Sequence, residues 1–256
     1  GAMAKDYLNA LLRMGGEVRY DTPAARVVVE GGKAAGVQTA AGEIIPADLV
    51  ISNSGLKESI ELAGRHHFPG DYLEMADKLR LSLGAVSVKY ALNAEVVSPH
   101  LIYYFPTPDL LDTQTGIFCP VPSAADPALA PPGCQMVLAG APAPAKLNDP
   151  DKADAISQSI LDKIENTMRC LFPDIERHVV WKLRTNTQYT ADISGRFSGE
   201  VIGAAQSCFQ VGRNRPANRT PIENYYLVGS DAGGRGVGTE MAAQSALNLW
   251  SRLKDQ

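Results

Sequence analysis

The sequence predicts a mixed fold, α+β across its middle and α/β at its two ends. Three observations carry this. Short strand-forming runs separated by glycine turns fill two stretches, and a long amphipathic helix follows the second. Asp48-Leu49-Val50-Ile51 is a nearly continuous apolar run, as in a strand covered on both faces. Tyr225 to Val228 reads as a strand that enters a glycine-rich turn and opens a helix.

The elements follow in order. Residues 4 to 14 read as an amphipathic helix, with Leu8, Leu11 and Leu12 on one face and Gly15-Gly16 as a left-handed stop. Strand signals come next at Glu17 to Tyr20, Arg26 to Glu30, Ala34 to Thr39, Glu43 to Ile45 and Asp48 to Ser52; Gly31-Gly32-Lys33 and Ala41-Gly42 form turns. Short helices are expected at Leu56 to Ala63 and Asp71 to Leu81. Strands are expected at Gly84 to Leu92, Leu101 to Phe105, Gly116 to Pro120 and Gln135 to Ala141. The prolines of Ala124 to Gly133 predict a loop. The clearest helix runs from Pro150 to Phe172, with Asp149 placed to cap it. Ile156, Ile160, Ile164, Met168 and Leu171 form its apolar stripe, which reads as core or as the wall of a tunnel. A strand at His178 to Arg184, a long irregular stretch and a helix over Thr239 to Leu253 complete the chain.

Composition narrows the function. Hydrophobic residues make up 45% and charged residues 20% of the 256, as in globular proteins. The formal net charge of −4 argues against a nucleic-acid partner, because neutralising phosphates takes a basic surface. No stretch approaches the ~18 apolar residues of a membrane span. Cys119, Cys134, Cys170 and Cys208 lie far apart with no CxxC pair, which points to reduced thiols in the cytoplasm and to no metal site.

The segment with the most chemistry in it is Tyr225 to Glu240, where Gly229, Gly233, Gly234, Gly236 and Gly238 crowd one strand-to-helix turn. Backbone N–H groups at such a helix start carry partial positive charge, and glycine lets an anionic or electron-rich ligand come close. An ordinary βα turn is the bland alternative, but it needs fewer glycines. A first-strand dinucleotide fingerprint is excluded: the third glycine of G-x-G-x-x-G would fall at Thr239. Too little chain follows for a ~30-residue βαβ unit.

Several segments then resemble, in order, those of the phytoene desaturase and carotenoid-isomerase-like FAD oxidoreductases. They are Gly15-Gly16-Glu17-Val18, Ala47 to Asn53, Asp126-Pro127-Ala128-Leu129-Ala130-Pro131-Pro132-Gly133, Gln210, Arg215-Pro216, Thr220-Pro221-Ile222 and Leu227-Val228-Gly229. The resemblance implies an FAD-dependent oxidoreductase that desaturates, saturates or isomerises an apolar polyene such as a carotenoid or retinoid. It implies a partial FAD-binding domain at 1–55 and a substrate-binding domain at 56–190. Residues 191–256 would return to a Rossmann-like FAD domain. By this resemblance Val27 lies in the strand whose backbone touches the adenine side, and Asp231 lies near the ribityl and pyrophosphate. Gly229 begins the turn, and the amides of Gly236, Val237 and Gly238 face the flavin pyrimidine edge. Gly1-Ala2-Met3 reads equally as the remnant of a cleaved tag and as a run this family carries there.

The family's G-x-G-x-x-G opening unit is absent, so the chain is expected to be the later portion of the protein, to bind FAD weakly or not at all alone, and to be inactive alone. Two rivals stand: a relative closer to amine oxidases or protoporphyrinogen oxidases, and a non-catalytic interaction module. Tyr103, Phe105 and Phe118 are candidates for lining an apolar substrate tunnel, although aromatic residues favour strands in any case. A peripheral membrane contact would suit a lipid-soluble substrate. The bland reading prevails elsewhere. His66, His67, His100 and His178 have no metal-ligand spacing, Arg196, Arg213, Arg215 and Arg235 read mostly as solvated cations, and Asp192 and Glu240 as surface charges.

Overall fold

A computed structural model of the chain describes residues 2–98, 102–106, 116–145 and 150–254. Helix α1 (Ala2–Arg13) ends as Gly15 turns left-handed (φ 83°), and the Gly16 N–H bonds back to the Leu11 carbonyl, closing a Schellman stop. Strands β1 (Ala24–Glu30), β2 (Lys33–Thr39) and β3 (Ile44–Pro46) form an antiparallel meander. Residues 17–20 are not a strand, and hydrophobic alternation alone does not make one without a neighbour to pair with.

Strand β4 (Val50–Ser52) pairs in parallel with β10 (Tyr225–Leu227) from the far end of the chain. Val50 is buried but Ile51 is half exposed, so this strand is not covered on both faces as its apolar run predicts. Helices α2 (Leu56–Ala63) and α3 (Gly70–Lys78) pack on these strands, and α3 stops three residues short of the expected Leu81.

The second sheet has five strands in the order β6-β7-β8-β5-β9: β6 (Ile102–Pro106), β7 (Gly116–Pro120), β8 (Gln135–Ala143), β5 (Gly84–Leu92) and β9 (Val179–Thr185). Strands β5 and β8 pair over their full length, from Gly84 opposite Ala143 to Leu92 opposite Gln135. Both alternate strictly between buried and half-buried residues, the mark of a sheet packed on one face only. That face holds Val86, Val88, Tyr90, Val137 and Ala139, and α5 (Pro150–Leu171) lies against it through Ile160, Leu161, Ile164 and Met168. The α5 stripe is therefore core. Leu161 joins it, whereas Leu171 is exposed, because the helix ends where the sheet does. Asp149 lies outside the described residues.

The proline-rich loop contains two short turns. They are α4 (Pro122–Ala125) and a 3-10 turn at Pro127–Leu129, the latter capped by the Asp126 carboxylate, which accepts from the Ala128 N–H at 3.0 Å. The irregular stretch contains α6 (Thr187–Ser194), capped by the Asn186 side chain and ended by Gly195 at φ 70°. Helix α7 (Gly238–Leu253) is the last element. The two apolar cores do not part at residue 56. Leu56, Ile60, Ala76 and Leu79 pack with Val27, Val50, Ile222 and Leu227, and the second core begins at Val86.

Candidate cofactor and substrate site

The glycine-rich turn between β10 and α7 is set by contacts that only glycine permits. Gly229 has φ 115° with the Asn53 carboxamide against it, and a Cβ at Gly233 would collide with the Asn218 amide. Ser245, fully buried on α7, is the hub of this corner. Its Oγ accepts from the Gly229 N–H (3.2 Å) and from Asn218 Nδ2 (3.0 Å), and donates to the Ala232 carbonyl (2.5 Å). Asn218 Nδ2 also reaches the Leu227 carbonyl at 2.8 Å, and Asn248 Nδ2 donates to the Gly233 carbonyl at 2.7 Å. The turn is thus held from behind by α7, which leaves its outer edge free.

Asp231 closes the inner side of the corner. It is 4% exposed, and its Oδ1 accepts from the Ala204 N–H at 2.7 Å. Its Oδ2 accepts from the Leu56 N–H at 3.0 Å, capping α2 from 175 residues away where Gly55 offers no side chain. Arg196 Nη1 lies 3.3 Å from the same Oδ2 and 2.7 Å from Glu200, while Nη2 donates to Ser230. Burial would lower the Arg196 pKa, but the charges of Asp231 and Glu200 outweigh it and raise the value. Glu58 completes the group, accepting from the Phe197 N–H at 2.9 Å. Burial pushes its pKa above the usual carboxylate value, against the pull of that hydrogen bond. Three carboxylates and one guanidinium therefore tie α2, the segment after α6 and the turn together.

The outer edge is open. Arg235, Gly236 and Val237 are exposed, α7 has no side-chain cap at Val237, and nothing stands within 4 Å of a Cβ built on Gly238. The first N–H groups of a 16-residue helix face outward there, which is what an anionic or electron-rich ring edge requires. The donor chemistry of this helix start fits an electron-rich ring edge. Asp231 has both oxygens engaged inside the protein, and Val27 is a buried member of β1, an edge strand of the meander.

Beyond the corner lies an apolar trough. The outer face of the five-stranded sheet supplies its floor with Ala85, Ser87, Leu138, Gly140 and Phe118, and Val201, Ile202 and Ala205 form a wall, around a cavity of about 640 Å³. Among the described residues no ionised side chain lines it. This wall leads to the corner directly, because Gly203 presses against Asp231 and Ser230. Phe118 is therefore in the trough. The side chains of Tyr103 and Phe105 lie outside the described residues; the β6 backbone sets those two positions opposite Cys119 and Ile117, and Tyr104 opposite Phe118.

Reading the sequence missed Ser245, Asn218 and Glu58, and it treated Arg196 and Arg215 as solvated. Both arginines are withdrawn from solvent: Arg215 is buried and donates to the Ala204 carbonyl at 3.2 Å. A serine among the apolar residues of the last helix was the one visible sign. Among the described residues no group of His, Cys, Asp and Glu could hold a metal, and no helix is long and apolar enough to cross a membrane.

A family model described as flavin containing amine oxidoreductase matches residues 2–249. The chain is similar to a 4,4'-diapolycopene oxygenase of a Methylomonas species, at 25% identity over 89% of this chain and 48% of that protein. A chloroplastic prolycopene isomerase of Daucus carota matches at 25% identity over 93% and 40%. A phytoene desaturase of Neurospora crassa matches at 28% over 85% and 41%. The chain thus spans less than half the length of these relatives. Among solved structures, an oxidoreductase from Methanosarcina mazei shares the fold with a TM-score of 0.69 at 22% identity, over 96% of this chain and 53% of that one. A Pyrococcus furiosus protein does so with a TM-score of 0.63 at 20% identity, over 99% and 52%.

Proposed function

We propose that this chain, which belongs to the flavin-containing amine oxidoreductase family, forms the substrate trough and one wall of the flavin site in an oxidoreductase acting on an apolar polyene. The observation that carries the proposal is the trough itself. An open apolar floor, without an ionised group among the described residues, leads to a corner whose helix N–H groups point outward. The relatives named for diapolycopene, prolycopene and phytoene support the choice of polyene. Among the described residues a protonated amine would find no carboxylate along this floor, which supports the hydrocarbon over an amine substrate.

FAD, when bound, supplies the hydride acceptor of such chemistry. The residues of this chain orient and exclude. Leu138, Phe118 and Val201 keep the substrate dry, while Ala85 and Gly140 give it a smooth floor. The N–H groups at Gly238 to Glu240 favour negative charge at the ring edge. Phe197 and Val201 are exposed, Val201 on the trough wall, and such side chains suit brief contact with a bilayer that holds the substrate.

The test is titration of the protein with phytoene in dilute detergent, followed by quenching of tryptophan fluorescence. Saturable quenching is expected, weakened at least tenfold by Ala85→Trp, which fills the floor. Quenching that does not saturate, or that Ala85→Trp leaves unchanged, would overturn the reading.

A further inference from the structure

One cation stands on the apolar face of the sheet. Lys89 lies on β5, on the same face as Ala85 and Ser87, with Leu138 opposite it on β8 and Leu183 opposite it on β9. Its stem runs between leucines, and its ammonium sits 5.5 Å from the centre of the Tyr189 ring on α6. Among the described residues no carboxylate forms an ion pair with Lys89. Asp192, one turn along α6, accepts instead from Gln188 Nε2 at 2.5 Å. The Tyr189 hydroxyl likewise has no hydrogen-bond partner among the described residues, and Tyr189 is 37% exposed. Two donors with unused capacity thus stand together on a surface that is otherwise apolar.

Their position along the sheet is informative. Gly84, at the end of β5 nearest the corner, bridges to Glu200 of the charged cluster. Lys89 is five residues further on, roughly 16 Å away at the rise of an extended strand. A ligand with one end at the corner therefore meets a cation only after about that length of apolar floor. A pure hydrocarbon gains nothing from such a cation and would leave it to water. An anionic end group gains a charge-assisted hydrogen bond beside an apolar wall, where it is stronger than in bulk water.

We propose that Lys89 and Tyr189 form a head-group site for the carboxylate of a long-chain apolar acid whose chain lies in the trough and whose far end reaches the glycine-rich corner. The inference rests on the trough being the substrate site. It narrows the substrate class from polyenes in general to polyenes that end in an acid. The carboxylate accepts from Lys89 Nζ and from the Tyr189 hydroxyl, which fixes the chain's direction and so decides which bond arrives at the corner.

Trp181 serves as a native reporter. It is opposite Ala91, one pleat beyond Lys89 on the same face, and 48% exposed. In a Trp250→Phe background, the protein would be titrated with parinaric acid and with its methyl ester, following energy transfer from Trp181 to the polyene. The acid is expected to bind at least tenfold tighter than the ester. Lys89→Met should abolish that preference while leaving ester binding unchanged, Lys89→Arg should keep it, and Tyr189→Phe should reduce it severalfold. Equal binding of acid and ester by the unsubstituted protein overturns the head-group site but leaves the trough intact. So does a preference that survives Lys89→Met. Failure of both ligands to bind overturns the trough and the head-group site together.

Discussion

Around the glycine-rich turn, Arg196, Glu200, Asp231 and Glu58 are drawn into one buried cluster, and Ser245 and Asn218 hold the backbone by hydrogen bonds. Behind the trough, the five-stranded sheet is held against α5 by Val86, Val88, Ile160, Ile164 and Met168. The two regions adjoin one another but are stabilised by different physics. Apolar packing tolerates small shifts and is indifferent to direction, which suits a floor on which a chain must slide. Buried charges and hydrogen bonds have few acceptable geometries, which suits a corner that must present N–H groups at fixed angles. The placement of polar groups thus follows the demand for precision, and the apolar groups follow the demand for area.

The comparison is broken most severely by removing the cation that bridges Asp231 and Glu200. Arg196→Met removes the ion-pair partner of Asp231 and Glu200 and leaves Asp231 the charge of buried Arg215, and a loss of about 3 kcal/mol is expected from urea unfolding at neutral pH. A loss below about 1 kcal/mol would show that water already screens the cluster. In the sheet region, Ile164→Ala deletes a fully buried side chain and should cost about 3 kcal/mol by the same measurement, with no dependence on salt. Salt sensitivity there would contradict a purely apolar interface.

A smaller effect isolates the hydrogen-bond hub. Ser245→Ala leaves the Gly229 N–H without its acceptor and should cost about 2 kcal/mol. It should also raise hydrogen exchange at Gly229 more than at β5, and uniform exchange across both would refute a local hub. The smallest effect is a pH dependence. The folded-state pKa of Glu58 is raised, so the folded protein holds a proton that the unfolded chain has released. This stabilisation is complete below the ordinary carboxylate range and is lost as pH rises through the folded value. Glu58→Gln should flatten the stability curve in that window and keep the Phe197 N–H satisfied. An unchanged curve would assign the pH dependence to another group.

Local signals were reliable where a segment's own residues decide its form. Most of the α5 stripe, the span of β5, the Gly15-Gly16 stop and the turn before α7 were all legible in sequence. Helix α6 was not, although Asn186 and Gly195 mark its ends, because Thr187 to Ser194 carries no apolar stripe and includes β-branched residues that favour strands. Ile51 misled for the converse reason: an apolar run reports what could be covered, and only the sheet reports what is.

The sequence by itself determined the family, most of the elements and the glycine-rich turn before α7, because each depends on residues close together in the chain. Tertiary structure alone decided that Asp231 caps α2, that Arg196 is interior, and that Lys89 and Tyr189 stand together beside an apolar trough. Those pairings join residues 35 to 175 positions apart, as between Arg196 or Leu56 and Asp231. A charge's environment is set by whatever the fold brings beside it, and no periodicity in the chain records that.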